Sequence, residues 1–235
     1  MNFIKNWLRK MVFHVEKENS SKYCYDDGVL INCYDLHDKD KLEKLERTAT
    51  TYRISQLESG DVHFNHLFQV EDYLNLHKFI FSNMYPFAGE IRTEDIYKSN
   101  EPYYSGKTPF CPWGYIFENL RSCLMKMRNN AIYVNSRDKM LLYLVTFFDE
   151  LNIIHAFREG NGRTLRTYLE LVVDYISEMN NLNFELRYSL WDEEDRDNLI
   201  RASILLNSNE SNKGKVLLRN CFDKVLVEKK REKVR

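Results

Sequence analysis

Residues 155–166 bring together, within one short stretch, side chains that could bind an anion and move a proton. They read His-Ala-Phe-Arg-Glu-Gly-Asn-Gly-Arg-Thr-Leu-Arg. Gly160 and Gly162 flank Asn161, so the backbone there can adopt left-handed angles and approach a ligand closely. Successive N–H groups in such a turn, extended by the first turn of a helix, attract anions. His155 could accept a proton near neutral pH. The stretch therefore predicts an anion-binding loop with a proton acceptor at its mouth.

Two arginines and one carboxylate make a nucleotide the best-suited anion. Arg163 and Arg166 lie three residues apart, so a helix places them on one face, and two guanidinium groups suit a polyphosphate. Glu159 supplies an oxygen ligand, and Mg²⁺ favours one or two carboxylates completed by phosphate oxygens and water. Taken alone, a Gly-x-Gly sequence is more often a plain turn, and a histidine after an apolar run is more often packed in the core. Two arginines three residues apart are more often part of a solvated helix face. Their combination favours transfer of a phosphorus group from a nucleotide to an alcohol.

The order of these residues resembles the signature of the Fic family, His-x-Phe-x-(Asp/Glu)-Gly-Asn-Gly-Arg-x-x-Arg. Every fixed position is filled, including Phe157, and Ala156 stands where proline is usual. Residues 85–92, Tyr-Pro-Phe-Ala-Gly-Glu-Ile-Arg, resemble a second, less specific family stretch. Residues 23–32 resemble a segment near the start of bacterial members. The matches together span about residues 20–205.

The resemblance implies an enzyme that moves AMP from ATP to a Tyr, Thr or Ser hydroxyl of a target protein, a protein adenylyltransferase. His155 would deprotonate the hydroxyl, and Glu159 would hold Mg²⁺ against the phosphates. Arg166 would orient the γ-phosphate. The remaining phosphate contacts would come from Gly160, Asn161, Gly162 and Arg163.

Other activities within the same family stay open. The death-on-curing branch phosphorylates its target and lacks the second arginine, so the presence of Gly162 and Arg166 favours nucleotide transfer here. A phosphocholine-transferring member shows that an intact motif does not fix the donor. A non-catalytic nucleotide-binding or interaction module is a further alternative. His155 and Glu159 argue against it, because a pure binder needs phosphate donors but no base.

A flap that docks the target is expected upstream of the motif. Its two sides are predicted at residues 91–98 and 110–112, with a turn between them that contains Pro102, Gly106 and Pro109. An extended target segment could add to the open edge of such a hairpin. A plain surface loop is the alternative. The residues expected to dock the target are Ile96, Tyr97, Lys98 and Phe110.

An internal inhibitory helix is not evident. Many Fic proteins are held inactive by a (Ser/Thr)-x-x-x-Glu-(Gly/Asn) helix whose glutamate pairs with the second motif arginine. Glu18 precedes Asn19, but His14 occupies the required Ser/Thr position, and Glu58 is followed by Ser59. We therefore expect any inhibition to come from a separate antitoxin protein, as in a toxin–antitoxin pair.

Composition narrows the class of protein. The 235 residues carry a net charge of −1, so there is no basic excess to suggest a nucleic-acid partner. The five cysteines show no Cys-x-x-Cys spacing, which indicates neither a zinc site nor a disulfide framework and fits a reducing, cytoplasmic location. No run of eighteen apolar residues occurs, so no transmembrane segment is expected.

The periodicity predicts an all-α, Fic-type helical domain with a small β-hairpin flap. The expected organisation is an N-terminal helical extension at 1–20, a Fic domain at 21–210 and a C-terminal helix or tail at 211–235. The extension alternates apolar and basic residues, so it could pack on the domain, bind a partner or lie on a membrane surface. Helices are predicted at 40–59, 67–83, 115–127, 137–154, 164–179 and 192–206, with residues 221–235 as a frayed helix or solvated tail.

Overall fold

A computed structural model describes residues 21–64 and 66–229 of the chain. The predicted N-terminal extension at 1–20 lies outside the described residues, as do residues 230–235. The described part is mainly helical with a small antiparallel hairpin, which confirms the predicted fold class. Its helices are α1 (Lys39–Glu58), α2 (Val70–Phe81), α3 (Ile116–Ala131), α4 (Arg137–Ile154), α5 (Asn161–Met179), α6 (Glu193–Leu206) and α7 (Ser211–Val225).

Local side-chain caps fix where several helices begin. Asp38 accepts hydrogen bonds from the N–H groups of Asp40 and Lys41 at the start of α1. Asp192 and Asp195 form a reciprocal capping box at the start of α6. Such caps satisfy backbone donors that lack a partner in the first helical turn. They explain why the observed starts of α1 and α6 lie within one residue of the predicted ones.

Helices α4 and α5 form the centre of the core and carry the residue 155–166 stretch between them. α4 is apolar on every side, and a helix of that kind belongs in a protein interior. α5 buries an apolar stripe at helical spacing, Leu165, Leu169, Val172 and Ile176. No helix in the described ranges is both long and apolar enough to cross a membrane. The loop is therefore held at both ends by deeply packed helices.

The flap hairpin is shorter than the sequence predicted. Its strands are β1 (Tyr97–Ser99) and β2 (Lys107–Pro109), with Tyr97 opposite Pro109. The predicted sides at 91–98 and 110–112 were therefore wrong in their bounds, and β2 lies inside the predicted turn. Strands of three residues are too short to show a period of two, so the pattern could not locate them.

The C-terminal region departs furthest from the prediction. α7 buries Leu218, Phe222 and Val225, and it is followed by strand β4 (Leu226–Glu228). β4 pairs antiparallel with β3 (Phe184–Leu186), which the sequence did not indicate. Residues 211–225 thus form the helix that the helix-or-tail prediction allowed, and residues 226–229 are a packed strand end and not a solvated tail. The two strands are about forty residues apart, so their pairing leaves no local signal.

Candidate active site

The motif loop begins where α4 stops, at His155. This residue has φ 47° and ψ 61°, a left-handed conformation that ends the helix. Histidine is one of the few residues besides glycine that is enriched there. Non-glycine residues in this region cluster at functional sites because the surrounding structure must hold them. The backbone thus turns the His155 side chain out of the helix and into the loop.

Arg92 holds the end of α4 in place. Its guanidinium is fully buried, and Nε donates to the His155 carbonyl at 2.8 Å. Nη2 donates to the carbonyls of Cys111 and Ile154, Nη1 donates to the Glu94 carbonyl at 2.6 Å, and the Arg92 backbone N–H donates to the Ala156 carbonyl. The last carbonyls of a helix have no partner within the helix, and an arginine can satisfy them. Arg92, which ends the 85–92 stretch, therefore fixes the position of His155.

The geometry defines the protonation of the His155 ring. Nδ1 lies 3.0 Å from the Asn152 carbonyl oxygen, which can only accept, so Nδ1 carries the proton. Nε2 has no hydrogen-bond partner among the described residues, and its lone pair is available. The ring stacks on Phe110 of the flap at 3.6 Å. Burial, with Arg92 and Lys98 nearby, holds the pKa of His155 well below 6.5, so the ring is neutral near pH 7.

Asn161 closes the loop on itself. Its side-chain oxygen accepts from the Phe157 N–H at 2.9 Å, and its amide nitrogen donates to the Phe157 carbonyl at 2.7 Å. Gly160 is the N-cap of α5 with φ +78°. α5 begins at Asn161, three residues before the predicted start at Thr164, so the glycine-rich turn leads directly into the helix. The first-turn N–H groups of α5 are then available to an anion.

Arg163 points away from the cavity beside the loop. Its guanidinium pairs with Glu46 of α1 and donates to Thr50 at 3.1 Å. Tyr85 donates its hydroxyl to the same Glu46 carboxylate. Glu159 lies 3.7 Å from Arg163, a longer contact than the Glu46 pair. In this structure Arg163 ties the start of α5 to α1, and its predicted contact with phosphate remains a prediction.

A cavity of about 370 Å³ brings most of the predicted residues together. It lies between the motif loop, the flap and α6. The predicted residues on its wall are His155, Glu159, Gly160, Asn161, Gly162 and Arg166 from the loop, and Ile96, Tyr97, Lys98 and Phe110 from the flap. Residues that the sequence did not single out complete it, namely Phe148, Asn152, Arg158, Leu199, Ile200 and Ser203. The α6 residues lie on an ordinary amphipathic helix, so no motif could have identified them.

The charges around this cavity suit an anion. Burial lowers the pKa of Arg166, and Arg166 has no salt bridge to any described residue. Burial also lowers the pKa of Lys98 on β1, with Glu159 opposing the shift and Arg166 adding to it. Partial desolvation of these two cations is costly, and a bound phosphate would relieve that cost.

A larger cavity of about 680 Å³ lies further along α5 and is mainly acidic. Its wall includes Glu58, Glu170, Asp174 and Glu185, together with Lys229 and Arg187, which pair with Asp174 and Glu185. Burial raises the pKa of Glu170 to about 8, and the neighbouring Glu58 and Asp174 add to the shift. Polyphosphate is disfavoured there, so the smaller cavity is the nucleotide site of choice.

Glu159 fits the role of a magnesium ligand. Its side chain is 40% exposed, and Oε1 accepts from the Gly160 N–H at 2.8 Å. Among the described residues no cluster of three or more His, Cys, Asp or Glu side chains could hold a metal alone. A single carboxylate beside phosphate-binding groups matches the way Mg²⁺ binds with nucleotides. The residues present are therefore compatible with Mg²⁺ bound together with a substrate phosphate.

The tip of the flap is fastened to α6. Tyr103 donates its hydroxyl to Asp197 at 2.5 Å, and the Arg201 guanidinium lies 5.1 Å from the centre of the Tyr103 ring. These contacts join the flap and α6 across the cavity. The flap therefore covers the cavity in a defined position.

Loosening this contact should free the flap with little global effect. We expect Tyr103→Phe to lower stability by about 1 kcal/mol or less and to accelerate amide exchange in β1 and β2 about fivefold. Hydrogen exchange read by mass spectrometry gives the rates. Tyr104→Phe is the matched control, because the neighbouring tyrosine donates no hydrogen bond to α6. Equal exchange in both variants would contradict a role for the Tyr103–Asp197 bond.

His77 of α2 is a site residue that sequence reasoning missed. It is fully buried and stacks on Phe157 at 3.7 Å and on Phe81 at 4.7 Å. Its Nε2 lies 3.0 Å from the Glu159 carbonyl, and its Nδ1 lies 2.8 Å from the Gly89 nitrogen. Burial, with Arg163 adding, lowers the pKa of His77 to about 4. An isolated histidine on an apolar helix face gave no sequence signal of this role.

The buried neutral histidines should make the protein less stable in acid. Because the folded pKa of His77 is about 4 and the unfolded value 6.5, the unfolded state binds more protons between these values. Stability should fall by about 2 kcal/mol for His77 as pH drops from about 8 to about 5, and His155 acts in the same direction. Exposed His37, whose pKa Asp27 raises, acts oppositely.

Urea unfolding at about pH 8, 6.5 and 5 measures this dependence. Glu170, whose pKa is raised to about 8, acts oppositely over the same range, so the test is the difference between the unmodified chain and His77→Gln, which lacks the His77 contribution. The same pH dependence in both proteins would show that His77 is not held neutral.

Residues 67–173 match the model of the Fic/DOC family. The protein adenylyltransferase VbhT of Bartonella schoenbuchensis is 29% identical over 182 residues, covering 76% of this chain and 34% of that protein. The probable protein adenylyltransferase Fic of Escherichia coli is 23% identical over 155 residues, covering 65% of this chain and 72% of that protein. This chain thus spans about a third of the length of the Bartonella relative.

Solved structures share the fold. The BepC protein of Bartonella tribocorum, with bound AMPPNP, has a TM-score of 0.72 at 17% identity, covering 88% of this chain and 97% of that one. The N-terminal Fic domain of an effector from Bartonella sp. AR 15-3 has a TM-score of 0.74 at 19% identity, covering 91% and 95%. The family match over residues 67–173 contains the unbroken motif at 155–166, so this part of the chain is similar to the Fic/DOC family in both sequence and fold.

Proposed function

We propose that this chain is a protein adenylyltransferase that moves AMP from ATP to a Tyr, Thr or Ser hydroxyl of a target protein. The observation that carries the proposal is the arrangement at His155. Its neutral ring presents an unpartnered Nε2 in the same cavity as Arg166 and the N-terminus of α5. A base and a polyphosphate site in one cavity are what hydroxyl attack on a nucleotide requires. The names of the relatives from Bartonella schoenbuchensis and Escherichia coli support the same activity.

The reaction assigns one task to each group. Nε2 of His155 accepts the proton of the target hydroxyl as its oxygen bonds to the α-phosphorus, and the bond to the bridging oxygen of pyrophosphate breaks. The negative charge of the bound triphosphate favours the imidazolium, so the basicity of His155 rises when ATP binds. Arg166 and the N–H groups of the α5 first turn bind the pyrophosphate charge. Mg²⁺, when bound at Glu159, adds further neutralisation of the phosphates.

The cavity walls suit the two substrates. Phe148, Leu199 and Ile200 offer an apolar surface for the adenine ring. Among the described residues the flap is a two-stranded sheet of β1 and β2, and β1 carries Tyr97 and Lys98. An extended target segment can add to the edge of β1 through main-chain hydrogen bonds. Since that mode of docking brings the hydroxyl to the Phe110 side of His155, the substrate is a protein and not a small alcohol.

Labelled ATP distinguishes this activity from the alternatives. The full chain is incubated with Mg²⁺ and lysate, using ATP labelled at the α- or the γ-phosphate. Label from the α-phosphate in protein, with a mass increase of one AMP at a hydroxyl residue, is expected. Transfer from the γ-phosphate would indicate a kinase, and ATP binding without transfer would indicate a non-catalytic module. If neither label is transferred but another phosphate-containing donor modifies the target, that compound and not ATP is the donor.

We further propose that a separate antitoxin protein restrains the enzyme. Arg166 forms no salt bridge to a described residue, and its nearest acidic neighbour is Glu170 on the same helix, so an inhibitory glutamate of another chain could pair with its guanidinium. Purified protein should therefore be active without activation. Strong activation by Glu18→Gly would place the inhibitor within this chain instead.

A further inference from the structure

His77 joins three separate parts of the fold at one ring. It belongs to α2, its Nδ1 faces the Gly89 nitrogen of the 85–92 stretch, and its Nε2 faces the Glu159 carbonyl of the motif loop. Its faces are covered by Phe157 and Phe81, which are themselves fully buried. A ring used on both nitrogens and both faces has a single orientation. His77 is therefore a fixed reference point beneath the motif loop.

The partners decide which nitrogen carries the proton. The Gly89 N–H can only donate, so Nδ1 must accept from it. The Glu159 carbonyl can only accept, so Nε2 carries the proton and donates at 3.0 Å. The neutral Nε2–H form of His77 is thus the one form that satisfies both contacts.

This hydrogen bond controls the peptide group between Glu159 and Gly160. A peptide group is planar and trans, so its C=O and N–H point in opposite directions. The C=O is held by His77 on the buried side. The N–H of the same group therefore points towards the cavity side, where it donates to Oε1 of the Glu159 carboxylate at 2.8 Å. Rotation of this peptide would remove the anchor of the carboxylate.

We propose that His77 is a positioning residue that, through the Glu159–Gly160 peptide, holds the Glu159 carboxylate in the orientation that binds Mg²⁺ with the nucleotide. The proposal rests on the proposed function in one respect, the assignment of Glu159 as the magnesium ligand. Loss of a residue that orients a metal ligand lowers metal affinity about 10- to 100-fold in well-studied sites. The expected loss here is near the lower end, because Arg163 also contacts Glu159.

Two substitutions separate the two hydrogen bonds of the ring. The amide nitrogen of His77→Gln can reach the Nε2 position and donate to the Glu159 carbonyl. The amide oxygen of His77→Asn can take the Nδ1 position and accept from Gly89. Both variants lose the same aromatic stacking, so a purely structural role for His77 would affect them alike. Only the Gln variant keeps the bond that orients the carboxylate.

The measurement is ATP binding by the full chain at increasing Mg²⁺, with EDTA as the metal-free reference. We expect His77→Asn to raise the Mg²⁺ concentration at half-saturation about tenfold, and His77→Gln to shift it less than about threefold. ATP affinity in EDTA should stay similar in both. Glu159→Gln marks complete loss of the Mg²⁺ effect. Equal shifts in the two His77 variants, no shift in either, or no Mg²⁺ effect in the unmodified chain would overturn the proposal.

A second measurement needs no variant and covers the case in which both substitutions unfold the protein. Nitrogen-15 spectra of the histidine rings should show His77 as the Nε2–H form, and adding Mg²⁺ to the ATP complex should move its Nε2–H resonance. A resonance that Mg²⁺ leaves unchanged would overturn the proposal. Because both readouts measure binding, absence of AMP transfer would refute the proposed function without affecting them. An active enzyme with equal His77 variants would refute the role of His77 alone.

Discussion

Replacing His155 should reduce AMP transfer by about 10²- to 10⁴-fold, the usual contribution of a general base. The reason is geometric. The Nδ1–H group donates to the Asn152 carbonyl, so the lone pair of Nε2 is available, and the ring lies against Phe110 of the flap. The proposed ATP contacts come from Arg166 and the α5 first turn, so ATP affinity should change less than about threefold. Initial rates with α-labelled ATP, together with a binding isotherm for ATP, measure both quantities.

The choice of replacement matters because of the backbone at this residue. His155 has φ 47°, where alanine costs roughly 1–2 kcal/mol and asparagine is tolerated. His155→Asn is therefore the cleaner test and should keep a melting temperature near that of the unmodified chain, while His155→Ala should melt lower. Both should be equally inactive. If His155→Asn retained more than about a tenth of the rate, proton transfer to His155 would not be the main catalytic contribution.

The residues of the motif loop could be located from sequence because their function depends on local order. Gly160, Asn161 and Gly162 act within a single turn, and His155 and Arg166 reach the same cavity because α4 and α5 run into that turn. In both helices the apolar pattern repeats over enough residues to predict a helix from the sequence. The loop, its flanking helices and the apolar stripe of α5 are therefore predictable from the sequence.

The contacts that hold the loop were not predictable in the same way. Arg163 pairs with Glu46, and His77 binds Glu159, over separations of 117 and 82 residues. Neither pair has a spacing rule, because the three-dimensional path of the chain decides which residues meet. The same holds for β3 and β4, whose pairing joins residues 184–186 with 226–228. Local patterns thus identified the chemistry, while long-range packing determines its orientation.

That division explains why the two motif arginines have different surroundings. Arg166 and Arg163 look equivalent in the sequence, three residues apart on α5. In the structure Arg166 lines the cavity without a salt bridge to a described residue, while Arg163 binds Glu46 and Thr50 of α1. A charged group that already has a buried partner must give it up to bind phosphate. The two arginines should therefore contribute unequally to ATP binding.

The second large effect is expected from Gly160→Ala, which should lower the free energy of unfolding by roughly 3–5 kcal/mol. Gly160 has φ +78°, and a Cβ there would lie 2.3 Å from the Phe81 ring. Phe81 cannot retreat, because its ring is fully buried and packs on His77 and on the Arg163 guanidinium. A fall in melting temperature on the order of 10 °C is expected for a domain of this size. ATP affinity should drop at least about tenfold, since the loop must move away from Phe81.

Two other glycines separate backbone strain from the steric clash. Gly28 has φ +82°, and a Cβ added there would meet no heavy atom within 4 Å, so Gly28→Ala should cost only about 1–2 kcal/mol from strain. Gly162 has a helical φ, and its nearest neighbour would be the end of the flexible Arg166 side chain at 3.4 Å. Gly162→Ala should therefore leave stability unchanged or raise it by up to about 1 kcal/mol. If Gly160→Ala proved no more costly than Gly28→Ala, contact with Phe81 would not be what requires glycine at position 160, and the aromatic floor under the loop would have no part in shaping the phosphate site.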